Sequence, residues 1–185
     1  EKNRPVIVTK DLSFGCDYVV NCSGLFAENL VRNSESLIQP PILTYAKGNY
    51  FSLQKSIKPF QRLIYPIPEE GGLGIHATLD LSGRVKFGPD VEWTKGPPFS
   101  YTVDAARSEK FYLAIKKYWP EIENHTIVPD YAGIRPKCMN SKGDFEFINS
   151  HEKWLNCYGI ESPGLTASLA IGEYVADMVK RVIQT

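Results

Sequence analysis

The spacing of apolar residues changes character three times along this chain, and each change predicts a different kind of element. A short β-branched run at residues 6–8 is followed by a turn-like stretch, Lys10-Asp11-Leu12-Ser13, and then by residues 18–22 (YVVNC), with apolar side chains at neighbouring positions. Unbroken apolarity over so short a run predicts a strand buried on both faces, as in the middle of an α/β sheet. The run leads into Ser23-Gly24 and an amphipathic helix over 26–31. Strand, small-residue turn and helix in succession let backbone approach a nucleotide closely.

The break at Gln39-Pro40-Pro41 ends this pattern. Short strand-like pieces follow at 42–45, 50–53, 63–65, 74–78 and 84–87, with turn signals at Glu70-Gly71-Gly72 and Leu81-Ser82-Gly83. Strands at this spacing without intervening helices predict an antiparallel sheet. A helical period returns over 104–119, where Phe111, Ala114, Ile115 and Tyr118 share a face, and Pro120 marks its end. After Tyr131-Ala132-Gly133-Ile134-Arg135-Pro136, two strands are expected at 145–148 and 154–158, the first preceded by a turn at Ser141-Lys142-Gly143-Asp144. The final helix is expected to bury Leu165, Leu169, Gly172, Val175, Ala176, Val179 and Val182, and to wet Glu173, Asp177, Lys180 and Arg181. The order is α/β (α+β): an α/β segment at 1–38, an antiparallel insert at 39–137, and a return at 138–185.

Composition acts mainly by exclusion. The 185 residues, 43% hydrophobic and 23% charged, suit one sizeable globular domain. Lys+Arg and Asp+Glu balance at 21 each, so no net field draws the chain to nucleic acid or anionic lipid. Its apolar runs are too short to span a bilayer. The opening EKNRPVIV lacks the apolar core of a signal peptide and reads as an interior cut of a longer chain. A cytoplasmic protein is expected, with the mitochondrial matrix or the inner-membrane periphery as alternatives. Cysteines at 16, 22, 138 and 157 form no C-x-x-C pair, so reduced, mostly buried thiols are expected and no metal site.

Four features carry candidate chemistry. Gly72-Leu73-Gly74-Ile75-His76-Ala77 satisfies the dinucleotide pattern G-x-G-x-x-A, but a turn precedes it and no helical pattern follows, so it is set aside. Ser162-Pro163-Gly164 can start the last helix, Ser162 as cap and Pro163 in the first helical position, with Gly164 leaving room for a ligand. Such a terminus offers unpaired N–H groups to an electron-rich partner, although an ordinary capped helix explains the same residues. Arg135, at a strand end, can hold a carboxylate bidentately or serve as a structural or surface arginine. His76 is a usable general base if it faces a pocket and otherwise a structural histidine. Tyr50, Tyr65 and Tyr131 could line a site or be core aromatics.

Taken in order, several stretches resemble one family. They are Asp17-Tyr18-Val19-Val20-Asn21-Cys22-Ser23-Gly24-Leu25-Phe26-Ala27, Lys47-Gly48-Asn49-Tyr50-Phe51, Leu63-Ile64-Tyr65-Pro66-Ile67-Pro68, and Leu73-Gly74-Ile75-His76-Ala77-Thr78 with Phe87-Gly88-Pro89. Ala132-Gly133-Ile134-Arg135-Pro136 and Gly159-Ile160-Glu161-Ser162-Pro163-Gly164-Leu165-Thr166 complete the series. They resemble the FAD-dependent oxidoreductases of the D-amino-acid-oxidase and glycerol-phosphate-dehydrogenase superfamily, closest to members that oxidise a small 2-hydroxy acid such as L-2-hydroxyglutarate.

The resemblance implies an FAD cofactor contacted by Cys22, Ser23, Gly24 and Gly133, with Ser162, Pro163, Gly164, Leu165 and Thr166 at the flavin's pyrimidine carbonyl end. It implies a small carboxylate substrate near Tyr50 and Tyr65, anchored by Arg135, with His76 taking the hydroxyl proton. An amino-acid substrate is the alternative within the family, and a non-catalytic piece of a split gene the alternative outside it. The family's opening strand, G-x-G-x-x-G turn and helix have no counterpart here, so the chain is read as a C-terminal half. Alone it is expected to bind FAD weakly, to be inactive, and to self-associate through uncovered sheet edges.

Overall fold

The structure, a computed structural model, describes residues 4–35, 38–67, 74–139, 143–151 and 153–184. Packing divides the chain into two compact units, one made of residues 1–44 and 135–185, the other of residues 45–134.

The first unit opens with strands β1 (Val6–Val8) and β2 (Ser13–Gly15), an antiparallel hairpin whose turn is tied by Thr9 and Leu12. Strand β3 (Val19–Asn21) then leads through a 3-10 turn at Gly24–Phe26 into helix α1 (Ala27–Arg32).

The second unit begins on β4 (Leu43–Leu53), continues through β5 (His76–Leu79), β6 (Val85–Gly88), β7 (Glu92–Thr94) and helix α2 (Ser108–Lys116), and ends in β8 (Ile127–Cys138). The chain returns to the first unit through β9 (Glu146–His151), β10 (Trp154–Tyr158) and helix α3 (Ser168–Ile183).

The second unit closes around its own core. Its sheet runs β5-β6-β4-β7, with β8 also paired to β4, and the pairs β5–β6, β6–β4 and β4–β7 are antiparallel. Phe51 lies opposite Phe87 across β4 and β6, and Phe111 meets the Phe51 ring at 4.5 Å. Phe111 and Ile115, one helical turn apart on α2, are fully buried, and Trp119, Ile122 and Ile127 complete the packing. Each large side chain buried in this way stabilises the unit by roughly 1.5–3 kcal/mol relative to exposure. The Asp104 carboxylate accepts a 2.9 Å bond from the Ala106 amide and so caps the approach to α2.

In the first unit β3 and β10 are parallel, with Asn21 beside Asn156, and β9 flanks β10 antiparallel. Asn21 and Asn156 are buried and bond to each other at 2.8 Å, while Asn21 also holds the Ala27 carbonyl at 3.0 Å. This side-chain bridge fixes the β3-to-α1 turn.

Several expectations are corrected. β3 is not buried on both faces: Val20, which points to the face opposite Val19 and Asn21, is exposed, so that face is uncovered at this position. The pieces at 42–45 and 50–53 are one 11-residue strand, since Gly48 continues the extended chain. Residues 63–65 contribute only an isolated bridge, Ile64 to Ala77. The last helix starts at Ser168 with no side-chain cap, and residues 162–167 form turns. Ser162 is therefore not its cap, nor Pro163 its first residue. The face expected to be buried is largely open: Leu165, Leu169, Gly172 and Ala176 are exposed, and Val175, Val179 and Val182 only half-buried. No described element of the unit covers it. The thiols are also less sheltered than expected, since Cys22 is exposed and Cys16 half-buried. The turns expected at Glu70-Gly71-Gly72 and around Ser141-Lys142 lie outside the described residues.

Candidate active site

His76 opens β5 and is 6% exposed. Its Nδ1 lies 3.1 Å from the Gly74 carbonyl oxygen. A carbonyl only accepts, so the hydrogen-bonded neutral ring carries its proton on Nδ1 and is basic at Nε2. The neighbouring segment is set by reciprocal backbone bonds between Ile64 and Ala77 at 3.0 and 2.9 Å. In an antiparallel bridge the next pair outward is Tyr65 and His76, and these rings stack at 4.4 Å and 17°. Tyr65 remains 54% exposed, so it is a lid on one face of the imidazole and no core aromatic.

Across the ladder from His76 stands Gly88. Its φ is +135°, and a Cβ there would fall 2.6 Å from the Asn49 carbonyl and 2.9 Å from Tyr50 Cδ1. A Cβ on Gly48 would likewise meet Pro89 at 2.6 Å. These two glycines let the stretch 47–51 and Phe87-Gly88-Pro89 interlock, which brings Tyr50 close to the residue paired with His76. Tyr50 stacks on Tyr131 at 4.4 Å and 11°, and Lys86 Nζ lies 4.6 Å from the Tyr131 ring centroid. Burial raises the Tyr131 phenol above its ordinary range, and Tyr50 and Asp130 add repulsion against the phenolate.

Beneath this stretch lies a polar cluster. The Asp90 side chain is fully buried and takes two bonds from Arg107, one from Nε at 2.7 Å. Its other oxygen accepts from both the backbone amide and Nδ2 of Asn49 at 3.0 Å. Asn49 Nδ2 also bonds Glu92 at 2.9 Å, and Lys47 Nζ donates to the Thr102 carbonyl at 2.6 Å. Sequence reading did not single out Asp90, Arg107, Lys47 or Asn49 for this role. The signal was present: residues 45, 47, 49 and 51 alternate onto one face of β4, and two of these inward positions are polar. Leaving residues 46–49 out of the two expected strands concealed it.

In the first unit, parallel pairing puts the carboxyl ends of β3 and β10 at one sheet edge. Ligands of open α/β sheets lie outside that edge. Cys22, Ser23 and Gly24 follow β3 there; Cys22 and Ser23 are exposed, and Gly24 (φ +57°) has open space where a Cβ would stand. The turns at 162–167 follow β10. The Leu165 and Thr166 amides donate no hydrogen bond among the described residues, and the Leu165 side chain is 91% exposed. Gly164 has an internal reason to lack a side chain: a Cβ would strike Ile160 and lie 2.7 Å from the Glu161 carbonyl. The expectation that it clears space for a ligand is replaced by that one. Gly133 belongs to the second unit and is open on its Cβ side. The first unit's open backbone groups at Ser23-Gly24 and the Leu165 and Thr166 amides fit an electron-rich cofactor edge, but no described turn is a glycine-rich cradle for a diphosphate.

Arg135 lies inside β8, not at a strand end, because the strand continues to Cys138. Its side chain makes no ion pair or hydrogen bond among the described residues, and the residue is half-buried. Lys137, two residues on, is paired with Glu161 at 2.5 Å. The structure thus joins Tyr65 to His76 and Tyr50 to Tyr131 in the second unit, and it places Arg135, Cys22, Ser23, Gly24 and residues 162–166 in the first.

Comparison with known proteins gives this arrangement its class. Residues 1–178 match the family model described as FAD dependent oxidoreductase, and the chain belongs to that family. It is similar to the mitochondrial L-2-hydroxyglutarate dehydrogenase of Arabidopsis thaliana, 46% identical over an alignment of 182 positions that covers 88% of this chain and 38% of that one. Among solved structures, the FAD-bound L-alpha-glycerophosphate oxidase of Mycoplasma pneumoniae has a TM-score of 0.76 at 20% identity, covering 90% of this chain and 44% of that one. Glycine oxidase from Geobacillus kaustophilus has a TM-score of 0.71 at 20% identity, covering 95% and 45%. The chain spans less than half the length of each.

Proposed function

We propose that the chain is the substrate-facing part of a flavoenzyme that oxidises the hydroxyl-bearing carbon of a small 2-hydroxy acid, L-2-hydroxyglutarate for preference. The observation that carries this is the buried His76, whose proton is held on Nδ1 by the Gly74 carbonyl. A base at Nε2 suits an alcohol, whose proton must be removed as its carbon is oxidised; a neutral amine needs no such step. Arg135 supports the reading, since a half-buried guanidinium with no described partner can hold a carboxylate. Tyr65 and Tyr50 line the substrate side, and Tyr65 shields one face of the imidazole from water.

FAD, when bound, supplies the hydride acceptor. Cys22, Ser23, Gly24, Gly133, Ser162, Pro163 and Gly164 would border it, with the open Leu165 and Thr166 amides toward its electron-rich carbonyl end. The remaining length of the whole protein would supply the diphosphate cradle. Among the described residues no helix is long and apolar enough to cross a membrane. The mitochondrial designation of the Arabidopsis relative supports a mitochondrial location over the cytoplasm.

The test is anaerobic flavin bleaching in the whole protein. L-2-Hydroxyglutarate is expected to bleach it, and His76→Asn to slow the step by about 10²–10⁴-fold, the usual worth of a general base. Arg135→Ala should mainly raise KM. Bleaching by glycine or glycerol 3-phosphate but not by L-2-hydroxyglutarate would sink the assignment.

A further inference from the structure

We propose that Cys22 and Cys157 form a peroxide-sensitive thiol pair, in which a hydroperoxide oxidises exposed Cys22 and buried Cys157 closes a disulfide that clips β3 to β10.

The geometry rests on strand register. Asn21 stands beside Asn156 in the parallel pair, so the next residues of the two strands, Cys22 and Cys157, are neighbours. Their sulfurs are 3.9 Å apart and in thiol–thiol contact. A disulfide needs about 2.05 Å, and side-by-side strand positions bring α-carbons within the roughly 4.4–6.8 Å that disulfides span. Closure therefore asks for side-chain rotation and no change of register.

The two thiols differ in the way such a reaction requires. Cys22 is exposed and open to a small oxidant, whereas Cys157 is 2% exposed. Cys157 cannot be the first site of attack but waits within reach of whatever forms on Cys22. The Asn21–Asn156 bridge immediately before the pair holds both strands in place during closure.

The chemistry balances in two displacements. Cys22, as thiolate, attacks one peroxide oxygen; the O–O bond breaks, one water leaves after protonation, and Cys22 becomes a sulfenic acid. Cys157, as thiolate, then attacks the Cys22 sulfur; the S–S bond forms, the S–O bond breaks, and the second water leaves. Two thiols lose two electrons and two protons in all, and one hydrogen peroxide is reduced to two waters. Burial, with repulsion from Cys22, pushes the Cys157 thiol up to about 12. The second step therefore quickens with pH, and conversion of Cys22 to a neutral sulfenic acid removes the repulsive part. A thiol reductant reverses the link by thiol–disulfide exchange, because the bond lies at the exposed position of Cys22. On the proposed function Cys22 itself borders FAD, so the link forms on the chain without bound flavin.

The 185-residue chain is treated with hydrogen peroxide under native conditions, then alkylated, digested with trypsin and sequenced by mass spectrometry. The expected result is loss of two of the four thiols and a link between peptides 11–32 and 154–180, with fragmentation placing it at Cys22 and not Cys16. A thiol reductant should restore both, and in denaturant the selectivity should vanish. Cys157→Ser should abolish the link and let Cys22 proceed to sulfinic acid. Sulfinic acid on Cys22 of the unmodified chain without any link, or a link through Cys16 or Cys138 instead, overturns the proposal. Because the mapping is made on the unmodified chain, a poorly folding variant does not blur the outcome.

Discussion

The two compact units treat apolar surface in opposite ways. Residues 45–134 fold around a closed core in which Phe51, Phe87, Phe111 and Ile115 are fully buried. In the unit made of residues 1–44 and 135–185, a 16-residue helix buries none of its side chains, and Leu165 and Leu169 are 91% and 84% exposed. The difference concerns where each candidate group gets its rigidity. His76, Tyr65 and Tyr50 are held by ladders, stacking and a salt-bridged cluster within one unit. Ser23, Gly24, Leu165 and Thr166 rim a surface whose apolar neighbours face outward, as expected of a surface that works against further protein.

The comparison can be broken most forcefully at the core. Phe111→Ala should cost about 3–5 kcal/mol in chemical denaturation of the chain, the usual loss for a large aromatic in a closed core. Leu169→Ala should stay within roughly 0.5 kcal/mol, because that side chain is already in solvent. Equal losses at the two positions would show that α3 is packed after all.

A smaller effect is expected at the polar cluster. Arg107→Met leaves the fully buried Asp90 carboxylate without its cation and should cost about 3 kcal/mol. This is the lower end for a buried pair, because the Arg107 side chain keeps 25% of its surface exposed. A loss under about 1 kcal/mol would reclassify the pair as a surface bridge.

The smallest effect is alkaline, and it touches both units. Burial, followed by the charges of Glu28 and Cys138, pushes Tyr158 up to about 12, and burial raises Tyr118 as well. A phenol raised in the folded state keeps its full contribution below its ordinary value near 10. The contribution is lost as pH climbs from there toward 12, since the unfolded chain gives up its proton first. Stability should therefore fall over that interval. Tyr158→Phe should flatten part of the slope without loss at pH 7, because that buried hydroxyl has no described hydrogen-bond partner. An unchanged slope in Tyr158→Phe would remove this phenol from the account.

Much of the fold was legible where one segment decides its own structure. The alternation at 84–87, the run at 154–158 and the 3.6-residue period around Phe111 and Ile115 became β6, β10 and α2. Misreadings came where distant segments decide. Lys47, Gly48 and Asn49 look like an interruption until Thr102, Glu92, Pro89 and Asp90 supply their partners from elsewhere in the chain. Ser162-Pro163-Gly164 carries a helix-start pattern, yet the turns at 162–167 delay the helix to Ser168. At the candidate site, residue types were readable but their state was not. Nothing in the sequence shows that His76 gives its Nδ1 proton to Gly74, or that Lys137 has a carboxylate partner while Arg135 has none described.

The chain enters the second unit along β4 and leaves it along β8, and those two strands are paired. An insertion whose entrance and exit run side by side asks little of its host beyond a two-stranded doorway. Substitutions, lengthened loops or a wholesale exchange of the intervening stretch can accumulate there while the rest of the chain keeps its own connectivity. Sequence change on one side of that doorway can thus proceed without rebuilding the packing on the other.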